Sequence, residues 1–127
     1  MEFKLEVIGV PVSDVDAAKI FYTDKVGFAL DHDVLPGEGM RVVQMTPPGS
    51  PCSIVIGEGL PLGKPGSTKG LQLVVEDIDA AREQLADRGV EISEVQQLGP
   101  ERAPGSRFAF FSDPDGNGWS LQEVRRS

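Results

Sequence analysis

Two residues of this sequence, His32 and Cys52, carry side chains that are common in catalysis. His32 is the sole histidine and stands between Asp31 and Asp33, so it is a candidate general base or metal ligand. A catalytic role would require a place in a cavity, which strand alternation alone does not establish, and a structural or solvent-exposed histidine is the preferred interpretation. Cys52 has no histidine near it in sequence and follows Pro51 at a loop edge, which favours an inert thiol over a nucleophile.

Three polar residues, Arg41, Gln72 and Gln122, have the hydrogen-bonding groups needed to orient a small ligand. Gln72 has the same strand parity as Gly70, so both should lie on one face of a sheet. By the same argument, Gln122 shares a face with Ser120. Two interpretations carry equal weight: these polar groups bind a ligand, or they satisfy one another by hydrogen bonding.

Aromatic residues are concentrated near the last two predicted strands, where alternate side chains must face a cavity and a helix. Such side chains usually form the core, but those that face a cavity would stack on a flat ligand. The residues concerned are Phe108, Phe110, Phe111 and Trp119. A site in this part of the chain would therefore favour aromatic compounds.

An internal repeat indicates how these residues are positioned. The segment from Val10 to Ala18 recurs from Leu73 to Ala81, at an offset of 63 residues between Asp14 and Asp77. Each copy has the pattern of a strand followed by an acidic helix cap and a helix. Asp14 or Ser13 is predicted to cap the first helix, and Asp77 the second. Each half of the chain therefore begins with a strand and a helix.

Three strand-like runs follow each helix, beyond Gly27 in the first half and beyond Gly89 in the second. The predicted fold is α+β, a single domain over residues 1–127 made of two βαβββ modules. Module one covers residues 3–58 and module two residues 69–125. The glycine- and proline-rich segment 59–68 is the predicted linker.

Composition narrows the classes of function. The chain has 127 residues, 39% of them hydrophobic, which fits one globular domain. Twelve basic against 20 acidic residues give a net charge of −8, with no basic cluster to neutralise phosphates, so nucleic acid is not an expected partner. No apolar run approaches the length of a membrane span, and strand-like alternation begins close to Met1 where a signal peptide would lie. The expected location is the cytoplasm, with no membrane partner.

Several motifs together resemble the vicinal oxygen chelate superfamily, the fold of glyoxalase, bleomycin resistance protein and extradiol dioxygenase. They are the duplicated module, the helix-end pair Phe21-Tyr22, the run Val26-Gly27-Phe28, and the turn Asp113-Pro114-Asp115-Gly116-Asn117. The resemblance implies an incomplete barrel around a central cavity, and a homodimer. It also implies that Tyr22 packs between helix and sheet.

The resemblance also identifies the positions where the family places its metal ligands. Carried over onto this sequence, they fall on Val7, Gly70, Ser120 and a residue near Val55. Valine and glycine cannot coordinate a metal through their side chains, and a serine hydroxyl alone is a poor ligand. We therefore expect no metal and no cofactor in the cavity.

The function that this pattern favours is the binding of a small, partly apolar organic molecule in the cavity, of the sequestration or resistance type. The predicted ligand-binding residues are Val7, Arg41, Val55, Gly70, Gln72, Phe110, Ser120 and Gln122. The alternative is a metal-independent or atypical enzyme of the superfamily, a lyase, isomerase or dioxygenase-like protein, with proton transfer by His32, a glutamate or a tyrosine. A module kept only for association is a third class. Sequence leaves open whether the modules pair within or between chains.

Overall fold

The computed structural model describes residues 1–100, 103 and 105–125. Its strands are β1 Val7–Gly9, β2 Ala29–Val34, β3 Arg41–Thr46, β4 Ser53–Glu58, β5 Leu71–Val75, β6 Gln96–Gln97, β7 Arg107–Ser112 and β8 Gly118–Glu123. Helix α1 is Val15–Ile20, continued by a π-helical turn over Phe21–Val26, and helix α2 is Ile78–Asp87. None of the helices described is long and apolar enough to cross a membrane.

The strands of the described residues form two four-stranded sheets with the same connectivity. The first sheet has the order β1-β4-β3-β2 and the second β5-β8-β7-β6. In each, the opening strand pairs in parallel with the last strand of its half, and the other pairs are antiparallel. The predicted α+β class is confirmed. Within the chain, however, the two sheets do not close into a barrel, and the module bounds remain predictions.

Both helices start at the aspartates of the repeat. The Asp14 carboxylate accepts a hydrogen bond from the backbone N–H of Ala17 at 3.0 Å, and that of Asp77 accepts one from Ala80 at 3.1 Å. Each bond satisfies an amide proton that has no partner inside the helix. The predicted caps are confirmed, with Asp14 rather than Ser13 at the first helix.

Alternation along the strands divides each sheet into two faces. Val43 and Met45 of β3 are fully buried, and Trp119 and Leu121 of β8 nearly so, within one hydrophobic core. Helix α1 packs on β4, and α2 packs on β7 and β8, so the buried parity is the face that the helices cover. We call the opposite side of each sheet its open face.

The two halves are joined through a buried aromatic and polar cluster. Tyr22 donates its phenolic proton to the Asp113 carboxylate at 2.8 Å and accepts a hydrogen bond from Trp119 Nε1 at 2.9 Å. Its ring stacks on Phe28 with a centroid separation of 5.5 Å. Burial, together with the neighbouring Asp113 carboxylate, raises the pKa of Tyr22. Tyr22 therefore stays protonated and couples the end of the first helix to the final strand.

Candidate ligand-binding site

The open face of the second sheet carries a row of three predicted site residues. Gln72 pairs with Ser120 across β5 and β8, and Ser120 pairs with Phe110 across β8 and β7. The next row consists of Val74, Gln122 and Phe108 in the same order. This register places the polar Gln72 and Ser120 beside an aromatic side chain.

Two phenylalanines form the aromatic part of this face. The rings of Phe108 and Phe110 are stacked with their centroids 6.1 Å apart and an interplanar angle of 11°. Phe110 is 40% exposed, which is unusual for so large an apolar side chain. The rings border a pocket of about 410 Å³ that Gly70, Gln72 and Ser120 also line. A surface of this kind can cover one side of a flat ring.

The side-chain amide of Gln122, predicted to bind a ligand, instead contacts the backbone of the protein. Its Nε2 donates a hydrogen bond to the carbonyl oxygen of Gly105 at 3.0 Å. Gln122 therefore holds Gly105, in the segment that leads into β7, at one end of the open face. The polar group is thus satisfied within the protein, by a backbone carbonyl and not by Arg41 or Gln72 as the alternative interpretation predicts.

Val7 and Val55 lie on the open face of the first sheet, apart from the row on the second sheet. Val7 pairs with Ser53, and Val55 pairs with both Gly9 and Gln44. Val7 is 48% exposed. The structure thus divides the predicted site into two groups, one on each sheet.

Arg41 lies on the helix-covered face, away from both groups. Its guanidinium donates two hydrogen bonds to Asp33 at 3.0 and 2.9 Å and one to Asp16 at 2.8 Å. Hydrogen bonds from Arg41 and Lys19 hold the pKa of Asp33 well below its usual range. The guanidinium of Arg41 is held by carboxylates between sheet and helix, so Arg41 is not part of the site that we propose.

The second half repeats this ionic arrangement. Arg107, the first residue of β7, contacts Asp79 in the first turn of α2 at 3.1 Å and the Glu123 carboxylate at 3.2 Å. Asp16 and Asp79 occupy equivalent places in the repeat. An arginine at the start of the third strand of each half therefore ties the sheet to its helix.

Sequence reasoning did not select Asp31, which lies on the open face of the first sheet. It contacts Gln44 and Thr46, whose strand parity is opposite to that of the buried Val43 and Met45. The register of β2 against β3 shifts at this residue. Strand alternation cannot reveal such a shift, and no motif in the sequence marks it.

The positions at which the superfamily resemblance places metal ligands do not fit a metal here. Val7, Val55 and Gly70 have no donor atoms in their side chains, and Ser120 offers a single hydroxyl. Nor do residues 1–100, 103 and 105–125 contain a group of three His, Cys, Asp or Glu side chains arranged to hold an ion.

We predict that the protein retains less than one equivalent of Mn, Fe, Ni or Zn after incubation and removal of free ions. The physical reason is that a catalytic metal site needs about three protein ligands of His, Cys or carboxylate type. Elemental analysis measures the retained metal, and chelators should leave the melting temperature unchanged. One equivalent that is retained by the wild type and lost on Glu6→Ala or His32→Ala would contradict the prediction.

Comparison with known proteins agrees with this architecture. Residues 4–121 match the model of the Glyoxalase/Bleomycin resistance protein/Dioxygenase superfamily. The chain belongs to this superfamily. One relative, the uncharacterized protein YetH of Bacillus subtilis strain 168, is 30% identical over 122 residues. The match covers 94% of this chain and 98% of the relative.

Two of the solved structures similar to this superfamily member come from Streptomyces sp. CB03234. TnmS3, an antibiotic binding protein, is 40% identical with a TM-score of 0.80, covering 97% of each chain. A glyoxalase/bleomycin resistance protein from the same organism is 41% identical with a TM-score of 0.76, covering 94% of this chain and all of the other. The fold and the superfamily are therefore shared over nearly the whole chain.

Proposed function

We propose that this superfamily member binds a flat, partly apolar organic molecule without a metal, on the open face of the second sheet. The observation that carries the proposal is the stacked pair of Phe108 and Phe110, with Phe110 exposed beside a pocket. Stacking of an aromatic ligand on such rings is favourable by about 1 kcal/mol beyond the burial of apolar area. The similar structure of an antibiotic binding protein supports the same class of function.

The rest of the pocket suits this ligand class. Gly70 has no atom within 4 Å of the place where a Cβ would lie, so it leaves space beside the rings. Gln72, Ser112 and Ser120 add a few hydrogen-bonding groups to a surface that is mostly apolar. Small-molecule sites commonly combine an apolar wall with few polar groups that fix orientation.

A second copy of the chain completes the cavity in this proposal. Apolar side chains on both open faces are uncovered, including Val7 at 48%, Val74 at 46% and Phe110 at 40% exposure. Because the two halves have the same topology, one two-fold axis can bring the first sheet of each copy against the second sheet of the other. The ligand would then be enclosed between two chains.

We predict a homodimer, with the two open faces as the interface. Burying the apolar residues on both faces provides the driving force. Light scattering at micromolar concentration should give twice the chain mass of 13.6 kDa. Val7→Asp should shift the equilibrium toward monomer, and Leu35→Asp, a change at an exposed loop residue, is the matched control. A wild-type monomer at this concentration would contradict the prediction.

The binding proposal is tested with acridone, a flat neutral compound whose fluorescence reports binding. We expect Phe110→Ala to weaken acridone binding about tenfold, because stacking and buried apolar area worth together about 1.4 kcal/mol are lost. Phe3→Ala is the matched control, since Phe3 is 90% exposed and does not line the pocket. Equal affinities of the two variants would contradict the proposed place of the ligand.

A metal-independent enzyme is the second candidate, and the position of His32 favours it. His32 pairs with Gln44 in the register of β2 and β3, which places it on the open face of the first sheet. In the proposed dimer it would face the ligand, where an imidazole can act as a general acid or base. Mass spectrometry of a bound compound before and after incubation separates the candidates, because an enzyme changes the compound and a binding protein releases it intact.

A further inference from the structure

A β-bulge brings two neighbouring residues onto the same face of the first sheet. Leu30 pairs with Met45, and the next pair is His32 with Gln44, so Asp31 is an extra residue in β2. A bulge lets consecutive side chains leave the usual alternation and changes where they point. Asp31 and His32 are both exposed. Strict alternation would place only His32 of these two residues on the open face of the first sheet. The bulge places the Asp31 carboxylate there as well.

Hydrogen bonds hold the Asp31 carboxylate in place from one side. Thr46 donates its hydroxyl proton to Asp31 Oδ2, and Gln44 Nε2 donates to the same oxygen at 3.3 Å. The Thr46 hydroxyl is also 2.6 Å from the Ser53 hydroxyl, which extends the network to β4. Both bonds enter one carboxylate oxygen, and among the residues described no donor reaches Oδ1. One acceptor atom therefore remains available in a fixed position.

The charge of Asp31 is not neutralised within the described part of the chain. Its neighbour Asp33 points to the helix-covered face and forms ion pairs with Lys19 and Arg41 at 2.9 Å. No basic side chain among residues 1–100, 103 and 105–125 lies within 4.0 Å of the Asp31 carboxylate. An unneutralised, positioned carboxylate favours a cation or a strong hydrogen-bond donor.

We propose that Asp31, held by Gln44 and Thr46, is the recognition subsite for a hydrogen-bond-donor edge of the ligand, an amino or hydroxyl group on the flat ring. The inference rests on the proposed function, in which the ring itself lies on Phe110 of the other copy. The first sheet then recognises the edge of the molecule and the second sheet its face. The ligand class is a flat aromatic compound with N–H or O–H groups, and anionic aromatics are disfavoured.

Two acridine derivatives of opposite charge test this subsite. Proflavine is cationic with amino groups at its edge, and acridine carboxylate carries an anion on the same ring system. We expect the wild type to prefer proflavine, and Asp31→Asn to weaken proflavine binding about tenfold, because the hydrogen bond loses the carboxylate charge that attracts the cation. Binding of acridone, which lacks a charge, should change much less.

The matched control is Glu83→Gln, which also removes one negative charge but lies exposed on α2. It should leave the affinity for proflavine unchanged, whereas a general effect of net charge would lower it as much as Asp31→Asn does. Thr46→Val is a second variant, expected to weaken proflavine binding less than Asp31→Asn because it removes only the donor that positions the carboxylate. Circular dichroism checks that each variant is folded.

The outcomes separate this inference from the proposed function. If Asp31→Asn and Thr46→Val both bind proflavine as tightly as the wild type, while Phe110→Ala still weakens acridone binding, the subsite is wrong and the binding function stands. If the wild type binds acridine carboxylate as well as proflavine, the subsite is likewise overturned. If the wild type binds none of the three compounds, the inference and the proposed function both fail.

Discussion

Replacing Asp113 with alanine is expected to lower the free energy of unfolding by about 4 kcal/mol, because buried hydrogen-bond donors lose their acceptor. Asp113 is 5% exposed, and its carboxylate accepts four hydrogen bonds. The donors are the Tyr22 hydroxyl at 2.8 Å, the backbone N–H groups of Asp115 and Asn117 at 2.9 Å each, and Asn117 Nδ2 at 2.8 Å. Urea unfolding followed by the fluorescence of the buried Trp119 measures the loss.

Asp115→Ala is the control for this prediction, since it removes the same side chain from the same turn. The Asp115 carboxylate accepts hydrogen bonds from the backbone N–H and the hydroxyl of Ser13 at 3.1 and 2.6 Å, both at an exposed position. Water can replace Asp115 there, so the expected loss is about 1 kcal/mol. Equal losses for the two variants would show that the turn acts through its backbone shape and not through the buried carboxylate.

The buried contacts of Asp113 also affect the position of the proposed binding surface. Asp113 links the turn before β8 to Tyr22 of the first half, and Trp119 of β8 donates to the same hydroxyl. Ser120, the next residue, lies on the open face between Gln72 and Phe110. The junction between the halves thus fixes the strand that supplies the centre of the proposed binding surface.

Sequence predicted the elements whose signals are local. The aspartate caps follow from a repeat and from the chemistry of one side chain, and both were found at Asp14 and Asp77. The shared face of Ser120 and Gln122 follows from alternation within β8, whose pairing with both neighbouring strands has no bulge. These features depend on spacing along the chain, which the sequence contains in full.

Features that depend on tertiary partners were harder to predict. Arg41 shares parity with the apolar Val43 and Met45, so a signal for the helix-covered face was present, but its partners Asp16 and Asp33 come from other elements. The bulge at Asp31 leaves no mark in composition or period. In the proposed dimer, closure of the cavity depends on contacts between two chains, which no spacing within one sequence encodes.

Replacing Gly66 with alanine is expected to cost about 4 kcal/mol of unfolding free energy, because steric overlap adds to backbone strain. Gly66 has a φ of +81°, a conformation that side chains with a Cβ rarely adopt. A Cβ there would overlap the carbonyl oxygen of Asp115, which is backbone and cannot rotate away. The Gly66 N–H also donates to the carbonyl oxygen of Pro11 at 3.2 Å. The linker therefore contacts the first half at Pro11 and the second half at Asp115.

Gly70→Ala separates the two causes, because Gly70 has nearly the same φ, +84°, with no atom within 4 Å of the added Cβ. Strain alone should cost this variant about 1 kcal/mol. Urea unfolding of the two variants then gives the contribution of the Asp115 contact as their difference. If Gly70→Ala costs as much as Gly66→Ala, strain accounts for both, and the close approach of the linker to the turn contributes nothing to stability. If only Gly66→Ala is costly, the linker locks the turn that carries Asp113 and, through it, the position of β8.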